Sequence, residues 1–164
     1  MEKKIWLDLD GTIANLYAVE GWLEKLRAYD PTPYRQAEPM WNMSSLARLL
    51  HKAQRLGYEV GIISWLSKES NQEYDNLVTV AKIEWLQLHL PSVEFDEIKI
   101  VAYGTPKHEL CSGYLFDDEL KNRENWGQGA YEPKDLLPIL RSLGDNSQDY
   151  LTQLKFLFGF PMSE

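Results

Sequence analysis

Short apolar segments alternate with amphipathic ones along this chain, and this alternation limits the possible folds more than any other feature. Residues 5–9 and 58–65 are apolar runs of strand character. Between them, residues 46–53 carry leucine and alanine at helical spacing, with Ser44 or Ser45 as the expected N-cap. A strand, a helix and a second strand in this order predict two parallel neighbouring strands.

The rest of the chain continues the pattern. The further predicted elements are strands over 97–103 and 114–116, a short segment near Ala130, and helices over 72–90, 135–143 and 147–158. The predicted fold class is therefore α/β, a doubly wound parallel sheet with helices on both faces. In such folds ligands bind beyond the carboxyl ends of the strands, so the residues that follow each strand are the candidates for chemistry.

One stretch, residues 15–43, does not fit the alternation. It is too long for a simple connection, and it holds three prolines and five aromatic residues. Its first part predicts a helix from Leu16 to Leu26, and its proline-bearing part predicts an ordered loop. We expect residues 1–164 to form one domain, in which 15–43 is a small helical cap inserted after the first strand.

The composition is that of a globular protein with a packed core, since 44% of the 164 residues are hydrophobic and 26% are charged. Cys111 is the only cysteine in the sequence, which excludes an intrachain disulfide and favours a reducing compartment. No apolar run approaches the length of a membrane span. We therefore expect a cytoplasmic protein without a membrane partner.

The charge balance bears on the possible partners. Seventeen basic side chains against 25 acidic ones give a formal net charge of −8. This sign argues against a nucleic-acid partner, because proteins bind nucleic acids largely by neutralising phosphates. An anionic ligand would need local help from a cation or from backbone N–H groups.

The segment Asp8-Leu9-Asp10-Gly11-Thr12 directly follows the first predicted strand. Side chains two positions apart in a strand point the same way, so Asp8 and Asp10 are expected to converge on one site. The turn at Gly11 frees backbone N–H groups that can face an anion. An ordinary acidic turn after a strand is the alternative interpretation.

A second acidic pair, Asp117 and Asp118, follows the predicted strand over 114–116. Either residue also suits the N-cap of a helix beginning near Glu119. If both strands belong to one parallel sheet, four carboxyl groups meet at one edge, and their repulsion requires a cation. Oxygen ligands of this kind favour Mg²⁺.

In these motifs the chain resembles the haloacid dehalogenase-like (HAD) superfamily of phosphohydrolases. Four motifs occur in the family's order: IWLDLDGT, a Ser or Thr after the second strand, a lysine before the fourth strand, and the acidic pair in LFDDE. Ser64 in GIIS matches the second motif. Lys107 matches the third best, since it opens a short helical stretch before the LFDDE strand, and Lys99 and Lys82 are the alternatives.

The resemblance implies a two-step phosphoryl transfer. Asp8 would attack phosphorus and form an aspartyl-phosphate, while Asp10 would protonate the leaving oxygen and then activate water. The implied metal ligands are the Asp8 carboxylate, the Asp10 main-chain carbonyl and the Asp117 carboxylate, with Asp118 binding the ion directly or through water.

Phosphate binding is implied for four residues. Ser64 and Lys107 would hold the phosphoryl oxygens, and the N–H groups of Gly11 and Thr12 would complete the phosphate site. Each of the two side chains alone has an ordinary explanation, as a strand-end hydroxyl and as a solvated charge. It is their occurrence together with the acidic motifs that favours a function.

In size and layout the chain is most similar to small-capped, deoxyribonucleotidase-like 5'-nucleotidases. Four aromatic residues are candidates for a slot in which a nucleobase stacks: Tyr17, Tyr34, Trp41 and Trp65. The alternative is that Trp22 and Trp41 only pack the cap on the core.

The sequence therefore predicts a Mg²⁺-dependent phosphomonoesterase whose partner is a small phosphorylated molecule, such as a nucleoside monophosphate. Two alternatives stay open. One is a phosphatase for polynucleotide ends, against which the acidic balance argues. The other is a catalytically silent module that binds phosphate and a cation. A receiver-type signalling domain is disfavoured, because there the acidic pair belongs to the first strand.

Overall fold

The computed structural model describes residues 1–145, so the helix predicted over 147–158 lies outside the described residues. The strands in this part are β1 (Lys4–Leu7), β2 (Ala14–Asn15), β3 (Glu38–Pro39), β4 (Glu59–Trp65), β5 (Glu97–Val101), β6 (Tyr114–Phe116) and β7 (Ala130–Tyr131). The helices are α1 (Trp22–Arg27), α2 (Thr32–Gln36), α3 (Met43–Arg55), α4 (Gln72–His89), α5 (Lys107–Leu110), α6 (Leu120–Trp126) and α7 (Leu136–Ser142). Within residues 1–145, no helix combines the length and the apolarity needed to cross a membrane.

A parallel sheet of five strands, in the order β5-β4-β1-β6-β7, forms the centre of the fold. β1 lies in the middle, with Leu7 opposite Ile62 of β4 on one side and Phe116 of β6 on the other. The predicted doubly wound α/β class is confirmed. The short segment near Ala130 forms the edge strand β7, which pairs with β6.

The two faces of the sheet bury different side chains, because neighbouring residues of a strand point to opposite faces. Ile5 and Leu7 of β1 belong to a large apolar cluster with residues of α3, α4 and α7. Trp6 lies between them in the strand and points to the opposite face of the sheet. There it packs near Leu115 of β6 and Trp126 of α6. Helices therefore cover both faces, as a buried parallel sheet requires.

The insertion after β1 consists of short elements, and its base is the antiparallel pair of β2 and β3. The helix predicted from Leu16 to Leu26 is interrupted. A 3₁₀ turn covers Leu16–Ala18, and α1 begins only after Gly21, whose φ is +68°. The proline-bearing part, which the sequence predicted as a loop, contains α2. Pro33 is tolerated there because the N–H groups of a first helical turn have no helical partner.

The insertion packs on α4, the helix that follows β4. Tyr34 of α2 is buried against Tyr74, Val78 and Ala81 of α4. The side chain of Asn71 caps this helix by accepting the N–H of Tyr74 at 2.8 Å. This packing places the next residue after Ala81, Lys82, beneath the insertion and close to the end of β4.

The start of α3 differs from the prediction. Its N-cap is Asn42, whose side-chain oxygen accepts the N–H of Ser45 at 3.0 Å. Ser44 and Ser45 therefore lie in the first turn of the helix. Asparagine supplies the same kind of acceptor to an unpaired N–H as serine does, so sequence alone did not separate these candidates.

Candidate active site

The first carboxylate stands where β1 ends. Asp8 follows Leu7, and its N–H donates to the carbonyl of Phe116 at 3.0 Å, as a continuation of the pairing between β1 and β6. The chain then turns at Gly11, whose φ is +79°. Asp8 is buried, whereas the side chain of Asp10 is partly exposed at the turn.

Three carboxylates meet at this edge of the sheet. One oxygen of each of Asp8, Asp117 and Asp118 lies within 4.8 Å of the others. Asp8 comes from the end of β1 and the other two from the end of β6, so the parallel pairing of these central strands brings the two acidic motifs together.

Asp117 is held in place by several donors. Its Oδ1 accepts the N–H of Glu119 at 2.9 Å, and its Oδ2 accepts the amide of Asn122 at 3.2 Å. The guanidinium of Arg123 donates to its carbonyl at 3.0 Å. Glu119, and neither acidic residue of the pair, is the N-cap residue of α6. Asp117 still binds the N–H of that cap residue, so it orders the turn and points into the cluster at once.

Burial and mutual repulsion disfavour three negative charges in the cluster. Burial, reinforced by the neighbouring Asp8 carboxylate, raises the pKa of Asp117 to about 6 and the pKa of Asp118 to about 8. Burial also raises the pKa of Asp10, although the charge of Lys82 opposes this effect. Near neutral pH the Asp118 carboxyl thus retains a proton that a bound cation would displace.

Lys107 lies among these carboxylates. Its Nζ donates to Asp117 Oδ2 at 2.7 Å, to Asp8 Oδ1 at 3.1 Å and to the carbonyl of Ile63 at 3.1 Å. Burial alone would lower the pKa of Lys107, but the two carboxylates outweigh it and hold this pKa above its ordinary value. The short helix α5, which begins at Lys107, carries the side chain into the cluster.

The two other lysine candidates lie in different surroundings. Lys99 is on β5, and its Nζ lies 3.2 Å from Glu97 Oε1, away from the cluster. Lys82 is buried on α4, and its Nζ lies 2.8 Å from Asp10 Oδ2 and 2.7 Å from Ser64 Oγ. The structure therefore brings two lysines to the acidic residues, Lys107 to Asp8 and Asp117 and Lys82 to Asp10.

The residues expected to bind phosphate are brought together, but several of their donors are already in use. The N–H of Gly11 donates to the Ala14 carbonyl at 2.8 Å and that of Thr12 to the Leu9 carbonyl at 3.1 Å. This differs from the expectation, because the turn itself consumes both N–H groups. In the described chain, no carbonyl or side chain accepts the N–H of Leu9 or Asp10, and these two groups are the available ones.

The hydroxyl groups of this region are buried. The Thr12 hydroxyl donates to Asp8 Oδ2 at 3.2 Å, a contact that the motif alone did not indicate. Ser64 has no exposed surface, and its Oγ accepts from Lys82. Ser64 is therefore not among the residues that line the adjoining cavity.

A cavity of about 480 Å³ opens beside the carboxylates and extends beneath the insertion. Asp8, Asp10, Lys107, Asp117 and Asp118 line one end. The other walls come from the insertion, from the segments after β4 and β5, and from the start of α6. Their lining residues are Leu16, Tyr17, Trp22, Leu23, Leu26, Arg27, Tyr34, Trp65, Leu66, Ser67, Lys68, Glu69, Tyr103, Glu119 and Asn122.

Three of the four aromatic candidates line this cavity: Tyr17, Tyr34 and Trp65. The fourth, Trp41, lies elsewhere; its indole N–H donates to the Thr12 carbonyl at 2.8 Å and its ring packs against the main core. Trp22, which the sequence offered only as packing, lines the cavity and contacts Tyr17 edge to face, with ring centroids 4.9 Å apart.

The carboxylate cluster fits a divalent cation. Its ligands are oxygen atoms only, which suits Mg²⁺ or Ca²⁺ better than softer metals. Lys107 supplies a single positive charge to a cluster of three carboxyl groups. Their negative charge is therefore not fully neutralised, and the cluster can still bind a cation. The carbonyl of Asp10 accepts no hydrogen bond from the described residues and is free to serve as a further oxygen ligand.

No family model matches the sequence, and no curated protein matches it. Among solved structures, the D,D-heptose 1,7-bisphosphate phosphatase from Burkholderia thailandensis is similar, with a TM-score of 0.50 over 92% of this chain and 99% of that chain. The two sequences are 12% identical, so the similarity concerns the fold. The chain thus shares the α/β fold of that structure, with a small insertion after β1 and an acidic cluster at the carboxyl end of the sheet.

Proposed function

We propose that this protein is a Mg²⁺-dependent phosphomonoesterase. The observation that carries the proposal is the meeting of Asp8, Asp117 and Asp118 at one edge of the sheet, with Lys107 within hydrogen-bond distance of two of them. Phosphoryl transfer requires a nucleophile, a cation site and positive charge around the transferred group. All three requirements can be met here, at the end of a cavity that a small ester could enter.

Asp8 is the proposed nucleophile. One of its carboxylate oxygens attacks phosphorus, the bond to the ester oxygen breaks, and the phosphoryl group forms an aspartyl-phosphate. Asp10 begins protonated and gives its proton to the departing ester oxygen. It then takes a proton from the water that attacks the intermediate, which releases inorganic phosphate and restores Asp8.

The proposed phosphate site combines Lys107 with the backbone N–H groups of Leu9 and Asp10. Gly11 and Thr12 shape the turn that presents these groups. The Ser64 hydroxyl accepts a hydrogen bond from Lys82 but donates to no acceptor among the described residues. Its own proton is therefore available to a further acceptor. A Mg²⁺ ion held by the carboxylates of Asp8, Asp117 and Asp118 and by the Asp10 carbonyl would neutralise the phosphoryl oxygens.

The proposed substrate is a nucleoside monophosphate or a phosphate ester of similar size. A volume of about 480 Å³ lies within the range of small-molecule sites. The rings of Tyr17, Trp22 and Tyr103 provide flat surfaces on which a base could stack. Residues 15–43 act in this proposal as a cap that selects the substrate. The net charge of −8 makes a polynucleotide end a poorer candidate.

Release of inorganic phosphate from nucleoside monophosphates, sugar phosphates, p-nitrophenyl phosphate and a 3'-phosphorylated oligonucleotide tests the proposal. We expect Mg²⁺-dependent turnover of a small ester by the wild type and its loss in Asp8→Asn, which keeps the shape of the side chain but removes the nucleophile. Preference for the oligonucleotide would favour polynucleotide ends as the substrate. Mg²⁺ binding without any turnover would favour a silent binding module.

A further inference from the structure

A second buried lysine, Lys82, contacts the site through Asp10, whereas Lys107 contacts Asp8 and Asp117. Lys82 lies on α4 with only 2% of its surface exposed. Its Nζ lies 2.8 Å from Asp10 Oδ2, 2.7 Å from Ser64 Oγ and 2.7 Å from the carbonyl of Trp65. An ammonium group has three N–H donors, so each of them has an acceptor and the group has a single orientation.

The position of Lys82 is also fixed by packing. Its neighbours on the same helix face, Val78, Ala81 and Trp85, are buried in the apolar core. The Tyr34 ring of the insertion lies over Nζ at 4.9 Å from the ring centroid. A buried cation in such surroundings is costly unless its donors are satisfied, and Asp10 Oδ2 is the carboxyl oxygen among the three acceptors of Lys82.

The contact with Lys82 makes the two side-chain oxygens of Asp10 different from one another. Oδ2 accepts from Lys82, whereas no hydrogen bond between described residues reaches Oδ1. The side chain of Asp10 lines the cavity, while Lys82 does not. A carboxyl oxygen that accepts from an ammonium group is a poor place for a proton, because the proton would replace this charge-assisted hydrogen bond.

Building on the proposed phosphatase function, we infer that Lys82 is a positioning residue that orients Asp10 for proton transfer. By binding Oδ2, it leaves Oδ1 as the oxygen that gives its proton to the leaving group and later takes one from water. Lys82 touches neither substrate nor phosphorus and acts through Asp10.

The same ammonium group orients Ser64. The Ser64 hydroxyl accepts from Lys82, so its own proton must point away from Nζ. Within the described chain no group accepts that proton. Lys82 thereby links the end of β4 to the turn after β1, and it sets the direction of both Asp10 and the Ser64 hydroxyl.

The test compares kcat/KM for two esters in the wild type and in Lys82→Met. p-Nitrophenolate departs without a proton, whereas the alkoxide of an alkyl phosphate needs one. We expect Lys82→Met to lower kcat/KM for the alkyl phosphate at least about tenfold more than for p-nitrophenyl phosphate, since general acid catalysis contributes two orders of magnitude or more. Because both esters are measured on one preparation, the ratio does not depend on the folded fraction.

A second pair of measurements separates positioning from a structural effect. In an Asp10→Asn background, Lys82→Met should change the ratio of the two kcat/KM values by less than about twofold, because residues that act together are not additive. Lys82→Arg keeps the buried charge and serves if Lys82→Met does not fold. Its planar group cannot reproduce three tetrahedral donors, so the ratio should shift in the same direction.

Lys99→Met is the matched control, because Lys99 pairs with Glu97 away from the cluster. Its ratio should equal that of the wild type. Equal losses for both esters in the Lys82 variants, with turnover intact in the wild type, would overturn the positioning role alone. Absence of turnover in the wild type would overturn the proposed function and this inference with it.

Discussion

Gly11 and Asp118 are in direct contact: a Cβ atom at position 11 would overlap Asp118 Oδ2. Gly11 also has a φ of +79°, a conformation that favours glycine. Glycine is therefore required here both by the backbone and by the space that Asp118 occupies. The contact joins the turn after β1 to the acidic pair after β6.

Gly11→Ala should displace Asp118 from the carboxylate cluster. We expect Mg²⁺ affinity and kcat/KM to fall at least about tenfold, which corresponds to about 1.4 kcal/mol of binding free energy. Separately from this effect on binding, strain at the positive φ should lower the free energy of unfolding by about 1–2 kcal/mol. Calorimetric titration with Mg²⁺ and thermal unfolding measure the two effects.

Gly57→Ala is the matched control for this variant. Gly57 has a φ of +92°, and an added Cβ would have no neighbour within 4 Å. This variant should lose a similar amount of stability but bind Mg²⁺ as the wild type does. Equal Mg²⁺ affinities in Gly11→Ala and Gly57→Ala would show that the contact with Asp118 does not control the cluster.

Stability should depend on pH through Asp118. Burial and the neighbouring Asp8 carboxylate raise the pKa of Asp118 from its ordinary value of 3.8 to about 8 in the folded protein. The folded state therefore binds more protons than the unfolded state between these values, and stability without metal falls as the pH rises. Because Mg²⁺ takes the place of the proton, it should raise the Tm more at pH 8 than at pH 6.

Thermal unfolding at the two pH values, with and without Mg²⁺, checks this expectation. In Asp118→Asn the difference between the two Mg²⁺-induced shifts should be much smaller. An equal rise in Tm at pH 6 and pH 8 in the wild type would mean that no proton on Asp118 competes with the cation.

Lys107→Met should destabilise the fold strongly in the absence of metal. It would leave Asp8 and Asp117 without their shared cation in a buried site, and such losses cost about 3–5 kcal/mol. Mg²⁺ should restore part of this stability. Urea unfolding with and without Mg²⁺ measures both the loss of stability and the part that Mg²⁺ restores.

Lys99→Met is the control. It removes a more exposed ion pair and should lower the free energy of unfolding by less than about 1 kcal/mol. Equal losses in the two variants would contradict a central role for Lys107.

Tyr17→Ala tests the proposed base-stacking surface. Tyr17 is 48% exposed and lines the cavity, so the fold should tolerate the change. We expect the KM for a nucleoside monophosphate to rise about tenfold, as for the loss of one base–aromatic stack, and the KM for ribose 5-phosphate to stay the same. Tyr29→Ala removes an insertion tyrosine of similar exposure that does not line the cavity, and it should change neither value. A parallel rise for both esters in Tyr17→Ala would exclude base stacking.

The sheet could be predicted because its signal is local. β1 and β6 are each a short apolar run followed directly by an aspartate, and β4 is an apolar run that carries Ser64 near its end. Since parallel strands end at the same edge, the order of the elements places Asp8 and Asp117 at one edge of the sheet, whereas their meeting depends on the pairing of β1 with β6. The edge strand β7 has only two residues, too few for a pattern.

The insertion could not be predicted in detail, because its helices are too short to be stable alone. α1 has six residues and α2 five, so tertiary packing on α4 decides where they begin and end. For the same reason the cavity walls, including Trp22 and Tyr103, did not follow from the sequence. Lys82 carries one visible signal, since it stands on the apolar face of α4 beside Val78 and Trp85. Its contact with Asp10 depends on how α4 packs against the end of β4.

The most direct test of the account is to find the phosphoryl group on the chain. Asp10→Asn is incubated with Mg²⁺ and p-nitrophenyl phosphate that carries its label on the phosphoryl group, and the reaction is then quenched in acid. The labelled phosphoryl group should accumulate on the protein. The p-nitrophenolate leaves without a proton, whereas the water that would hydrolyse the intermediate is no longer activated. We predict that peptide mapping places the label on Asp8, and that Asp8→Asn/Asp10→Asn carries none. Label on another residue, or turnover that survives Asp8→Asn, would contradict the account.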